Sequence, residues 1–143
     1  MKRFLDHKLL LAYFKPKAFE RSREDSIYRW IGIKFFKKYL PTSGDIARKI
    51  KGITQIEHHQ ADRFLEIRKY EHKTRIFEFR HMLGMIVFIF ILLLFEKNYS
   101  LFDYLLVSIL FLILNIYPIL LQRHNRIRIL NLLKRQGQSS LYD

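Results

Sequence analysis

Thr74, Glu78 and His81 stand at i, i+4 and i+7 of a stretch that holds neither Gly nor Pro between His58 and Gly84, and Glu71 lies a turn earlier. On a helix these side chains share one stripe. A carboxylate beside a histidine orients the imidazole and raises its basicity. Glu78 as orienter and His81 as general base is therefore sensible chemistry for taking a proton from a hydroxyl. A plainer reading stands beside it, in which both residues end an apolar run and face lipid headgroups.

A second polar group is spelled Asn115-Ile116-Tyr117-Pro118-Ile119-Leu120-Leu121-Gln122-Arg123-His124-Asn125-Arg126. Pro118 cannot donate to the carbonyl of Leu114, so a helix here should bend near Asn115, and the released carbonyl must be covered by protein if lipid surrounds it. The Asn115 amide should seek a partner across a helix pair. Arg123 and Arg126 offer donors for phosphate or carboxylate. The plainer reading of the arginines is a stop-transfer boundary.

The elements that would position these groups are two apolar runs, residues 82–95 and 101–121, joined by Glu96-Lys97-Asn98-Tyr99-Ser100. The second run is about 31 Å long as a helix and matches a hydrocarbon core of about 30 Å. The first is only about 21 Å and must tilt, thin the bilayer or draw in residues 76–81. The expected fold is an all-α membrane protein: a two-helix transmembrane hairpin, spans about 77–95 and 101–121, with a basic, helical, membrane-proximal N-terminal part. Residues 1–57 form that basic interfacial segment, 58–128 the long helix and hairpin, and 129–143 a polar tail. Because the spans are antiparallel, the Pro118 end of the second faces Glu78 and His81.

The formal net charge is +13 in 143 residues, although the mean hydropathy is near zero at -0.06. Lys73, Arg75 and Arg80 precede the first span and Arg123, Arg126 and Arg128 follow the second. The positive-inside rule thus expects a multi-pass protein of the cell membrane with both termini cytoplasmic, its basic face drawn to anionic lipid. Residues 27–40 carry Ile27, Trp30, Ile31, Phe35 and Tyr39 at helical spacing among lysines, which suits an interfacial helix; packing on a soluble core is the alternative. Residues 4–14 form a short helical pattern that Pro16 should stop, residues 41–45 a turn, and residues 46–51 a short helix ended by Gly52. No small-residue cleavage site follows the N-terminal leucines, so no signal peptide is expected. There is no cysteine, hence no disulfide framework and no thiol nucleophile. One Glu-x-x-His element does not make a di-metal centre, and no metal is expected. Basic residues spread without a base-reading motif argue against nucleic acid.

Three stretches resemble the glycosyl-diaponeurosporenoate acyltransferase family of small membrane proteins, which act on carotenoid glycosides. They are Phe19-Glu20 with residues 27–33 and the Leu40-Pro41 turn; Thr74-x-x-x-Glu78-x-x-His81; and Asn115-x-Tyr117-Pro118-x-x-x-Gln122-Arg123-x-Asn125-Arg126. The resemblance implies transfer of a fatty acyl group to a hydroxyl of a lipid-soluble glycoside. It implies no cofactor, with a donor such as an acyl thioester as substrate and membrane lipids as surroundings. It makes Glu78 and His81 the catalytic candidates and Thr74, Asn115, Tyr117, Gln122, Arg123, Asn125 and Arg126 the substrate-binding set. The family pattern also includes an N-terminal membrane segment, for which Leu9 to Phe14 is too short. A non-enzymatic adaptor that recruits anionic lipid or a partner protein is the competing function, and it would depend on Lys34, Lys37 and Lys38 rather than on His81.

Overall fold

A computed structural model describes residues 5, 7–17, 20, 28, 30–33, 35–36, 60–94 and 100–142, and every described element is helical. Helix α1 spans Lys8–Phe14, α2 Gln60–Leu94, α3 Leu101–Phe111 and α4 Tyr117–Arg135, with a π-helical turn, Leu112–Ile116, joining α3 to α4. The expected turn at 41–45, the helix at 46–51 and the loop residues 96–99 lie outside the described residues.

Helix α2 is 35 residues long because nothing in it breaks the pattern before the apolar run. Helix α3 starts where Ser100 caps it: its hydroxyl accepts from the Asp103 amide while the Asp103 carboxylate accepts from the Ser100 amide, satisfying orphan donors at both positions. Two stretches, Phe64–Leu94 and Leu101–Arg135, are long and apolar enough to cross a membrane. Only 6% and 17% of the most apolar 18 residues of each are buried. Leu, Ile and Phe side chains from Leu83 to Leu94 and from Leu101 to Leu114 instead point outward, for example Ile86, Phe90, Leu105 and Ile109. A core helix of a water-soluble protein would cover such side chains, so lipid is their natural solvent.

The N-terminal segment packs against the polar ends of α2 and α4. Pro16 forces Lys15 into an extended conformation (ψ 122°) and so ends α1, as its position in the sequence requires. Leu5 and Phe14 join Leu130 and Tyr142 in one small core, and Tyr28 and Ile33 join Leu121 and Ile127 in another. The unbroken helix expected over 27–40 is not formed. Gly32 takes φ +77° within a turn at residues 31–32, a left-handed conformation that a Cβ-bearing residue resists and that an α-helix cannot contain. The reversal buries Tyr28 and Ile33 and leaves Trp30 89% and Phe35 70% exposed.

Candidate active site

The stripe on α2 and the polar group on α4 meet, as the antiparallel pairing requires, but their partners differ from those expected. Glu78 is 0% exposed, and its two carboxylate oxygens accept from different arginines: Oε1 from Arg123 Nη1 at 3.1 Å, and Oε2 from Arg126 Nη2. Arg126, 1% exposed, also donates through Nε to Thr74 Oγ1 at 3.1 Å and through Nη1 to the Phe14 carbonyl at 2.9 Å. The latter is an orphan acceptor at the C-terminus of α1, where a cation is favoured. Arg123 grips Glu20 with Nε and Nη2 at 2.9 and 3.1 Å, the two-pronged geometry that only guanidinium offers to carboxylate. Glu71 completes the array: it pairs with Arg75 at 3.2 Å and accepts from the Tyr142 hydroxyl at 2.7 Å. Three carboxylates (Glu20, Glu71, Glu78) and three guanidiniums (Arg75, Arg123, Arg126) therefore balance in a buried cluster. Such ions persist out of water only when each finds partners of this kind.

Burial alone would raise the Glu20 carboxyl, but Arg123, the Lys17 amide and the Tyr28 hydroxyl outweigh it and hold the group at about 2. Burial, and then the Glu20 carboxylate, push the Tyr28 hydroxyl upward, so Tyr28 donates. A carboxyl depressed in the folded state stabilises it fully above its unfolded value near 4.5, and that contribution disappears as pH falls through the folded value. Thermal melts of detergent-solubilised protein should fall in midpoint as pH drops from about 4.5 towards 2. In Glu20→Gln the midpoint should start lower and this part of the acid dependence should vanish. An identical slope in both proteins would remove Glu20 as its source.

His81 is half-buried on the next turn of α2, and its Nδ1 lies 3.1 Å from the Leu114 carbonyl. This is the carbonyl that Pro118, lacking an N–H, cannot serve. Helix register adjusts around it into the π turn, in which the Tyr117 amide reaches back five residues to Leu112. A carbonyl only accepts, so the ring must donate from Nδ1, and neutral imidazole then carries its lone pair on Nε2. The expectation that Glu78 orients His81 gives way to this contact: both Glu78 oxygens are engaged by arginines, and the orienting group is backbone on the opposite helix.

Asn115 is buried in the π turn, and a Cβ on Gly84 would meet its Oδ1 at 3.3 Å. Gly84 thus lets α2 approach the amide closely. Gly84→Leu should push the helices apart, lowering stability by about 1–3 kcal/mol as overpacking does; an unchanged melting midpoint would mean that the contact yields without cost. Tyr117 donates to the Ile31 carbonyl at 3.0 Å and stacks near Phe36, which ties it to the N-terminal segment. Thr74, Gln122 and Asn125 line a cleft of about 480 Å³ between α2 and α4, on a face that also carries Phe77 and Leu121. Sequence reasoning gave no site role to Glu20, Tyr28, Arg75 or Tyr142, and of these Glu20, Tyr28 and Tyr142 are linked to the cluster from far along the chain. Among the described residues no three His, Cys, Asp or Glu side chains gather as a metal ion would need.

The polar residues singled out in the sequence thus sit on a helix pair that the N-terminal segment closes, and the model of the glycosyl-4,4'-diaponeurosporenoate acyltransferase family matches residues 11–135. The chain belongs to that family. The match takes in the last four residues of α1, Glu20, the whole of α2 and all of α4, so all six charged residues of the buried cluster lie inside it, and Tyr142, which bonds to Glu71, lies beyond it. No curated protein and no solved structure matches the chain.

Proposed function

We propose that this member of the acyltransferase family moves a fatty acyl group from a thioester donor to a sugar hydroxyl of a glycosylated carotenoid. The reaction would occur at the cytoplasmic edge of the bilayer, with the hairpin embedded and both termini on that side. One observation supports the chemistry above the others: His81 is held through Nδ1 by the Leu114 carbonyl, which puts the lone pair of the neutral ring on Nε2.

In this reading Nε2 takes the proton of the acceptor hydroxyl as its oxygen attacks the thioester carbonyl. The carbon–sulfur bond then breaks, and the imidazolium returns the proton to the leaving thiolate. Asn115, buried across from Gly84, is the candidate donor to the developing oxyanion, a type of contact worth about 3–4 kcal/mol in other enzymes. Gln122, Asn125 and Thr74 face substrate from the cleft. Glu78, Arg123 and Arg126 are positioning residues: their bonds fix the register of α2 against α4 and with it the His81–Leu114 contact.

Membranes that contain the protein, given a glucosylated C30 carotenoid acid and an acyl thioester, should yield a product heavier by one acyl group. Mass spectrometry of the extracts reads this directly. Unchanged extracts would overturn the reading and favour the lipid-recruiting adaptor.

A further inference from the structure

The arginines that seemed free to hold an anionic donor are occupied. Arg126 spends Nε, Nη1 and Nη2 on Thr74, Phe14 and Glu78, and Arg123 spends its three nitrogens on Glu20 and Glu78. Drawing either to a ligand would strand a buried carboxylate, which costs several kcal/mol. Cationic charge of another kind lies on the cleft between α2 and α4. Lys73, resting 4.9 Å from the Tyr70 ring centroid, and Arg128 line it, and both are exposed. Among the described residues no acidic side chain lines it. The lining also holds two amides, Gln122 and Asn125, and apolar side chains that include Phe77 and Ile129.

We infer that this cleft captures the phosphate-bearing end of the acyl donor, a long-chain acyl thioester of a phosphorylated carrier; the inference rests on the acyl-transfer reading. Charge complementarity selects an anion, and the apolar wall selects one that carries a hydrocarbon chain. The position selects a thioester carrier over a lipid headgroup. Phe77, the α2 lining residue nearest to His81 in sequence, precedes it by about one turn, and Lys73 precedes His81 by eight residues, about 12 Å along α2. A phosphate held by Lys73 and Arg128 therefore needs an extended linker before its acyl carbon reaches Nε2. A phosphorylated carrier arm supplies that linker, whereas a glycerophospholipid carries its acyl esters close to its phosphate.

Palmitoyl-coenzyme A binding to the full chain in phosphatidylcholine nanodiscs, without acceptor, tests this. The wild type should bind, more weakly as salt rises, and Lys73→Gln with Arg128→Gln should weaken binding by about thirtyfold. The charge-conserving pair Lys73→Arg with Arg128→Lys should retain it, which separates lost charge from lost fold. His81→Ala should bind as the wild type does, because capture does not use the base. The proposal is overturned if the wild type does not bind, if the Gln pair binds as tightly as the wild type, or if phosphatidylglycerol in the disc displaces the thioester, which would make the cleft a headgroup site. Acyl transfer by wild type whose thioester affinity ignores Lys73 and Arg128 would leave the function standing and remove only the cleft. Charge-dependent binding with transfer unaffected by His81→Ala would do the reverse to the base.

Discussion

Glu78→Gln is expected to destabilise the protein by about 3–5 kcal/mol, the loss seen when one member of a buried ion pair is removed and its partner left charged. Glu78 serves two guanidiniums at once, and Arg126 beside it is 1% exposed, so neither water nor a lipid headgroup can replace the carboxylate without opening the helix pair. Against a total stability of about 5–15 kcal/mol for typical domains, this is a large fraction. Thermal melts in mild detergent, followed by far-ultraviolet circular dichroism, should show it as a strongly lowered midpoint. Adding Arg123→Gln should cost less than the sum of the single changes, because the second substitution removes a charge that the first had orphaned. A midpoint equal to that of the wild type would show that the cluster does not hold α2 to α4. Any loss of acyl transfer in Glu78→Gln would accordingly track its loss of fold.

His81→Gln should show the opposite pattern, with the rate of acyl transfer down by about 10²–10⁴ and the melting midpoint little changed. Glutamine can still present an amide N–H towards the Leu114 carbonyl but has no nitrogen that accepts a proton near neutrality. The comparison that decides the role is rate against stability in the same preparation. A rate that survives in His81→Gln removes His81 as base; a rate and a midpoint that fall together make it a structural cap on Leu114. Of the two variants, only this one should leave a folded protein that cannot turn over.

The contrast between Glu78 and His81 also shows what was legible in the sequence. Helical spacing placed Thr74, Glu78 and His81 on one stripe, and Pro118 announced an interrupted helix at Asn115; both features are present, the second as a π turn. Pro118 even identified the carbonyl that would need a partner. The partner itself was hidden, because spacing along one helix says nothing about the register of its neighbour. Register here comes from contacts over long separations, Arg123 with Glu20 and Arg126 with the Phe14 carbonyl, whose near ends lie in a basic segment that reads as surface. The apolar hairpin was visible because lipid exposure demands the same residue types around the whole helix. Within the N-terminal segment the helical pattern expected over 27–40 is broken at Gly32, because helical periodicity does not continue through a left-handed residue.

The pairing of Glu20 with Arg123 sets an order on biosynthesis. The carboxylate precedes its guanidinium by 103 residues, so at about 5–20 residues per second it is synthesised roughly 5–20 s before the arginine. The segment that closes the helix pair is made first and finished last: it must wait, solvated, until both arms of the hairpin have been delivered to the bilayer. Assembly at the membrane therefore ends with an early-made segment docking onto a late-made helix, and a ribosome stalled before codon 123 would hold a chain with every apolar span residue translated and its closing contact still absent.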